Sequence, residues 1–147
     1  MKIVSLFLLA IVLGKAGCNA PQRELEEAII EYTANTRGFY QKITIQNRTI
    51  SVDNSRDGSE APISAKIKET DWKQLLSSMK AVNFDQIATL KAPTEKRFYD
   101  GAAMAELALT HKDTTYRSST FDHGFPPAEI ADLVNKINAL ATTDNDN

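Results

Sequence analysis

The sequence predicts an α+β fold in which a single antiparallel sheet of about five or six strands carries two amphipathic helices on one face. Three observations predict this architecture. Several short segments alternate apolar and polar residues, which is the period of a half-buried strand. Two longer segments repeat apolar residues at the three- and four-residue spacing of a helix. Hairpin-sized connections imply antiparallel pairing, and the elements follow in the order ββββαββα.

Four strands are predicted in the first part of the domain. Arg37-Gly38 separates the first two strands, Asn47-Arg48 makes a tight turn into the third, and residues 53–62 have the composition of a loop. The residues that identify the strands are Ala28, Ile30 and Tyr32 in the first, Phe39, Gln41, Ile43 and Ile45 in the second, Thr49 to Val52 in the third, and Ile63, Ala65 and Ile67 in the fourth.

The apolar period changes from two to about 3.6 residues at the first predicted helix. Thr70 is a suitable N-cap, and Asp71 suits the positive end of the helix dipole. The apolar stripe of this helix, and the short apolar cap that we expect after it, consist of Trp72, Leu75, Leu76 and Met79, and of Phe84, Ile87 and Leu90.

The last three elements follow a second predicted loop, Lys91 to Gly101. Lys112-Asp113 is expected to turn the fifth strand into the sixth, and Pro126-Pro127 is a natural opening for the final helix. The residues that identify these elements are Ala105, Leu107 and Leu109 in the fifth strand, Thr115 to Phe121 in the sixth, and Ile130, Leu133, Val134, Ile137 and Leu140 in the helix.

The only cysteine of the chain lies at the end of a predicted signal segment. Lys2 precedes an apolar run from Ile3 to Leu13, which is too short for a membrane span of about 20 residues but suits a secretory signal. Ala16 and Gly17 then supply small residues directly before Cys18. This order resembles the lipobox of bacterial lipoproteins, which implies that Cys18 is lipidated and becomes the mature N-terminus.

The predicted lipobox departs from its pattern at Lys15, where an apolar residue is usual. The alternative is an ordinary secretory signal that is cut after Ala20, which would make the protein secreted or periplasmic. That cut would place Pro21 directly after the cleaved bond, where its ring makes a poor protease substrate. A lipid-anchored protein of the bacterial cell envelope is therefore expected. Asn19, in place of aspartate, favours the outer membrane.

The domain boundaries follow from these patterns. We expect a signal peptide over residues 1–17, a lipidated tether over 18–27, one α+β domain over 28–141 and a flexible tail over 142–147. Removal of the signal takes Lys2 and Lys15 from the 17 basic residues, so that 15 face 19 acidic residues and the net charge becomes −4. This balance argues against a nucleic-acid partner, and attachment to the membrane must then come from acyl chains. With one cysteine, the chain forms no internal disulfide.

Two clusters, Thr36 to Tyr40 and Lys96 to Gly101, mix cations, aromatic residues and turn residues, which are the types enriched in protein contacts. The alternative for each cluster is structural, with an aromatic side chain plugging one end of the core. We expect the loops to converge at one end of the sheet and to bind a protein or peptide. The candidate binding residues are Arg37, Lys96, Arg97, Tyr99, Asp100 and His123.

A catalytic alternative rests on three residues. Asp122 could orient His123 as a base, and Asp100 could join them in a small metal-dependent or acid–base hydrolase. The sequence has no metal-ligand spacing and no phosphate-binding glycine-rich loop, so no cofactor and no metal is expected. A structural envelope component without a ligand is the third hypothesis.

Four segments carry a resemblance to known proteins: Thr36 to Phe39, Lys91 to Thr94, Phe98 to Ala102, and Phe121 to Pro127. They resemble a family of small uncharacterised bacterial envelope lipoproteins, which implies no established activity. The layout is also similar to that of emfourin-type inhibitors of thermolysin-like metalloproteases. Those proteins have two glycines where this chain has only Gly38, so no residue role is transferred. The expected function is non-enzymatic binding, with protease inhibition as one form of it.

Overall fold

The computed structural model describes residues 20–143, which form one antiparallel sheet and three α-helices. Two further segments, Phe84–Thr89 and Lys96–Tyr99, form 3-10 turns. The bounds in chain order are α1 (Ala20–Glu26), β1 (Ile29–Thr36), β2 (Phe39–Gln46), β3 (Thr49–Asp53), β4 (Ile63–Lys66), α2 (Glu69–Lys80), β5 (Met104–His111), β6 (Thr114–Arg117), β7 (Phe121–Asp122) and α3 (Ala128–Thr143).

The predicted fold class is confirmed. The strands lie in the order β4-β3-β2-β1-β5-β6, β7 pairs with β5, and every pairing is antiparallel. The sheet has seven strands because the sixth predicted strand divides into β6 and β7. At the division, the hydroxyl of Ser118 accepts a hydrogen bond from the Leu107 amide at 3.0 Å and takes the place of a ladder carbonyl.

The sheet has one buried face and one solvent-facing polar face. Side chains of alternate residues point to opposite faces, so Tyr32, Ile43 and Leu107 lie together beneath the helices. Leu75 of α2 and Ile137 of α3 belong to the same core and are fully buried. The opposite face, called the outer face below, carries polar residues such as Thr33, Lys42 and Glu106.

Two hairpin turns have the mirror-image geometry that matches the twist of a β-ribbon. The backbone angle φ is positive at both residues of each turn, 49° and 59° at Asn47 and Arg48, and 49° and 61° at Lys112 and Asp113. These two turns confirm the tight connections predicted from the sequence.

The first large helix begins one residue before the predicted cap. Lys68 occupies the N-cap position without a side-chain cap, and its carbonyl accepts a hydrogen bond from the Trp72 amide at 2.9 Å. Thr70 is therefore inside α2 and exposed, and the prediction of Thr70 as the N-cap is wrong. Trp72 is buried and begins the apolar stripe of α2 that faces the core.

Both ends of the described chain are more ordered than the sequence suggested. Most of the tether expected over residues 18–27 is helical as α1, with Leu25 packed on the core and Glu24 paired with Lys112 at 2.8 Å. Of the tail expected over residues 142–147, α3 includes the first two residues. Cys18 and residues 144–147 lie outside the described residues. No helix within residues 20–143 is long and apolar enough to span a bilayer.

Candidate functional site

Four loops meet at one end of the sheet, called the loop end below. Strand pairing places them there, because the strand ends next to these loops are paired with one another. The pairs are Thr36 with Phe39, Asn35 with Met104, Met104 with Asp122, and Lys42 with the last residue of β3. The loops are residues 37–38, 54–62, 90–103 and 123–127. The two mirror-image turns and α1 lie at the opposite end of the sheet.

The loop end is organised around the buried carboxylate of Asp122. One of its oxygens accepts hydrogen bonds from the Thr94 hydroxyl at 2.6 Å and the Lys96 amide at 2.7 Å. The other oxygen accepts from the Arg97 amide at 2.9 Å and from Arg97 Nη1 at 3.1 Å. Asp122 is fully buried, and the side chain of Arg97 is only 8% exposed. This carboxylate therefore fixes residues 94–97 to the sheet.

The hydrogen bonds also determine the charge of Asp122. Burial by itself raises the pKa of the Asp122 carboxyl, but the hydrogen bonds from Thr94, Arg97 and Lys96 outweigh it and lower the pKa to about 2. Asp122 is therefore an ionised partner of Arg97 at neutral pH.

Arg97 itself is incompletely satisfied. Its Nη1 also donates to the Thr94 carbonyl at 2.8 Å, but its buried Nε has no hydrogen-bond partner among the described residues. A buried donor without a partner costs about 1–3 kcal/mol.

His123 lies on the core side of β7, opposite the side chain of Asp122. Because side chains alternate along a strand, Asp122 points toward the outer face with Met104, while Phe121 and Tyr32 belong to the core. The ring of His123 contacts those of Tyr32 and Phe39, with centroids 5.9 and 5.5 Å away.

A hydrogen bond of 2.7 Å joins the Tyr32 hydroxyl to Nδ1 of His123. Burial raises the pKa of Tyr32 to about 12, against a smaller opposing effect of Asn138. Burial also lowers the pKa of His123 below its usual value. Both side chains are therefore neutral at pH 7, and the tautomer of His123 decides whether Tyr32 donates to Nδ1 or accepts from it.

These contacts separate the three residues of the catalytic alternative. Asp122 is hydrogen-bonded to the loop that contains Thr94, and His123 is hydrogen-bonded to Tyr32. Asp100 lines a depression on the side of Asn35 and Met104, whose side chains belong to the outer face. The structure does not bring Asp100, Asp122 and His123 together, and the orienting hydrogen bond expected between Asp122 and His123 is absent.

Most of the candidate binding residues are brought together at the loop end. Arg37, Arg97 and Asp100 line one depression of about 310 Å³. The ammonium of Lys96 lies 4.3 Å from the ring centre of Phe125. The two remaining candidates are Tyr99, which is exposed in the same loop, and His123, which lies on the other side of β7.

Sequence reasoning missed Arg56, which lines the same depression. Its Nη2 donates to the carbonyl of Thr36 at 2.6 Å and to that of Phe39 at 3.3 Å. The signal was present, because the hairpin of β2 and β3 brings the loop containing Arg56 to the start of β2. The structural alternative of a buried aromatic plug is not formed by Phe98 or Tyr99, which are 66% and 72% exposed.

Large apolar side chains are exposed only around the loop end within the described part of the chain. Each lies in one of the four loops or at the strand position next to one. They are Phe39, Ile63, Phe98, Tyr99, Met104 and Phe125.

Searches of protein-family models, curated proteins and solved structures find no match to this chain. Within residues 20–143, no cluster of three or more histidine, cysteine, aspartate or glutamate side chains could hold a metal ion.

We predict that Asp122→Asn destabilises the fold by about 3–5 kcal/mol at neutral pH, because it leaves the Arg97 guanidinium buried without its counter-charge. Urea unfolding measures this loss. Asp100→Asn, an exposed carboxylate in the same loop, is the control and should change stability by less than about 0.5 kcal/mol.

The same pair of variants tests the low pKa of Asp122. A carboxyl with a depressed folded-state pKa stabilises the fold above its unfolded pKa of 3.8, and this stabilisation is lost as pH falls toward about 2. The difference in stability between wild type and Asp122→Asn should therefore shrink across that range. A difference independent of pH would contradict the assignment.

We also predict that nitrogen NMR shows His123 as a neutral imidazole at pH 7, with a titration midpoint below 6.5. Because the unfolded state binds this proton more readily, His123 should reduce wild-type stability as pH falls below about 6.5. His123→Gln should remove this part of the pH dependence. A midpoint above 6.5 would contradict the burial of His123 as a neutral imidazole.

Proposed function

We propose that this protein is a lipid-anchored domain of the bacterial cell envelope that binds another protein or peptide through the loop end. The observation that carries the proposal is the collection of exposed apolar side chains at that end. Exposed apolar groups are costly in water, and when they are gathered in one region they are typical of interaction surfaces.

The composition of the loop end supports protein contacts. Cations lie over two of its exposed rings, Lys96 over Phe125 and Arg97 over Phe98, each at 4.3 Å from the ring centre. Aromatic and arginine side chains supply a large share of the binding energy in protein interfaces. Tyr99, which is the most exposed of these aromatic residues, is the strongest candidate for a contact with the partner.

The loop end is also held in shape before binding. The hydrogen bonds from residues 94–97 to Asp122 fix the backbone of the loop that presents Phe98 and Tyr99. A surface that is already ordered loses less conformational entropy on binding than a flexible loop does. The arrangement therefore favours recognition by a prepared surface.

The position of α1 supports the proposed anchor. Helix α1 begins two residues after Cys18, and its Glu24 pairs with Lys112 at the end of the sheet opposite the loops. An acyl chain on Cys18 would therefore attach the domain by the end away from the loop end. The binding surface would then be directed away from the membrane.

The anchor predicts a specific modification. Cells that express the full chain with radiolabelled palmitate should incorporate the label into wild type, and Cys18→Ala should abolish incorporation. Membrane fractionation should show loss of attachment in the same variant. An unmodified thiol in the mature protein, or a mature N-terminus at Pro21, would contradict lipidation.

The binding surface predicts position-dependent crosslinking. A photo-reactive amino acid in place of Tyr99 in the full chain should give a discrete adduct with an envelope protein. The same amino acid in place of Thr114, which is exposed at the opposite end, should give none. Phe98→Ser should reduce the Tyr99 adduct several-fold without lowering the melting temperature. Equal adducts from both positions would refute binding through the loop end.

A further inference from the structure

A depression of about 310 Å³ lies at the loop end beside the exposed aromatic residues. Three arginines from three different loops line it, namely Arg37, Arg56 and Arg97. Asp100 is the one carboxylate among the lining residues, and Met104 contributes an apolar side chain. The convergence of three arginines from separate loops is a property of the tertiary structure.

Arg97 is held with one edge of its guanidinium occupied. Its hydrogen bonds to Asp122 and to the Thr94 carbonyl both leave from Nη1. The Nε atom is buried without a partner, and Nε together with Nη2 forms the edge that commonly binds a carboxylate through two hydrogen bonds. Because Nε is buried, an anion in the depression meets Arg97 only where the exposed part of its side chain lines the depression.

Arg56 and Arg37 add two positive charges to the lining of the depression. Arg56 is positioned by the neutral carbonyls of Thr36 and Phe39, which accept hydrogen bonds without cancelling its charge. Neither Arg56 nor Arg37 forms an ion pair with any described residue. Because Asp122 balances Arg97, the residues that line the depression carry one positive charge more than Asp100 compensates. Asp57 and Glu60 line the adjoining depression together with Arg37 and Arg56.

We infer that this depression binds a carboxylate of an acidic segment in the protein or peptide partner. The inference rests on the proposed function and names the chemistry that the loop end recognises. The side chain of an aspartate or glutamate would pair with Arg56 and Arg37, beside the part of Arg97 that lines the depression. Neighbouring apolar residues of the same segment would contact Met104 and the exposed aromatic residues.

The charge of the depression favours a carboxylate over a phosphate. A single carboxylate matches the one excess positive charge, whereas a doubly charged phosphate would leave negative charge beside Asp100. The net charge of the whole chain is −2, which argues against a polyanion as the partner.

The test uses two soluble tetrapeptides that alternate phenylalanine with either aspartate or asparagine, together with inorganic phosphate. Each is titrated into the folded protein while NMR follows the Nε–Hε signals of its arginines. The aspartate peptide should shift the Arg97 signal, and the asparagine peptide should bind at least tenfold more weakly. Arg56→Gln and the exposed Arg37→Gln should each weaken aspartate-peptide binding at least fivefold.

The matched control is Arg117→Gln, because Arg117 lies on the outer face away from the loop end and pairs with Glu106. This variant should leave the affinity unchanged. Melting temperatures equal to that of wild type would show that Arg56→Gln and Arg37→Gln are folded. If Arg56→Gln does not fold, Arg37→Gln alone still tests the inference.

Several outcomes would overturn the inference. Equal binding of the two peptides would refute recognition of a carboxylate by the depression. If Tyr99→Ser then weakened the binding of both peptides, the proposed function would still stand. Tighter binding of phosphate than of the aspartate peptide would assign the depression to a different anion. Absence of any Arg97 shift would refute the site, whereas loss of the Tyr99 crosslink would refute the proposed function separately.

Discussion

The loop end depends on one ionic interaction, the hydrogen-bonded pair of Asp122 and Arg97. Asp122 is the only charged residue that is fully buried in the described chain, and it comes from the shortest strand of the sheet. The carboxylate replaces its lost hydration with four hydrogen bonds, all from residues 94–97. A long connection between α2 and β5 thereby becomes a fixed part of the domain.

The alternation of side chains along β7 divides the loop end into two sides. Asp122 and the arginine depression lie toward the outer face, while His123 and Tyr32 lie toward the core. Adjacent residues in the sequence therefore have different neighbours, and each is engaged in a separate contact. The charged depression and the exposed aromatic residues are close enough in the fold to contact one extended partner together.

The candidate site was only partly predictable from the sequence. The composition of residues 96–100 indicated a contact loop, and hairpin lengths indicated that Arg37 would lie near it. No local feature of the sequence indicated that the Asp122 side chain would contact this loop and not the ring of His123. That contact depends on the pairing of Asp122 with Met104. The position of Arg56 was within reach of the sequence, because the hairpin of β2 and β3 brings its loop to the start of β2, but its contacts with Thr36 and Phe39 depend on how that loop folds.

The sequence by itself determined the strands, the two large helices and the side of each that is buried, because these follow from the local spacing of apolar residues such as Ile43 and Leu107. It also determined the tight turns, and it predicts lipidation at Cys18. Only the tertiary structure decided the strand order, the packing of α1, and the grouping of Arg37, Arg56 and Arg97. The physical reason is that these features arise from contacts between residues far apart in the chain, and no local period records them.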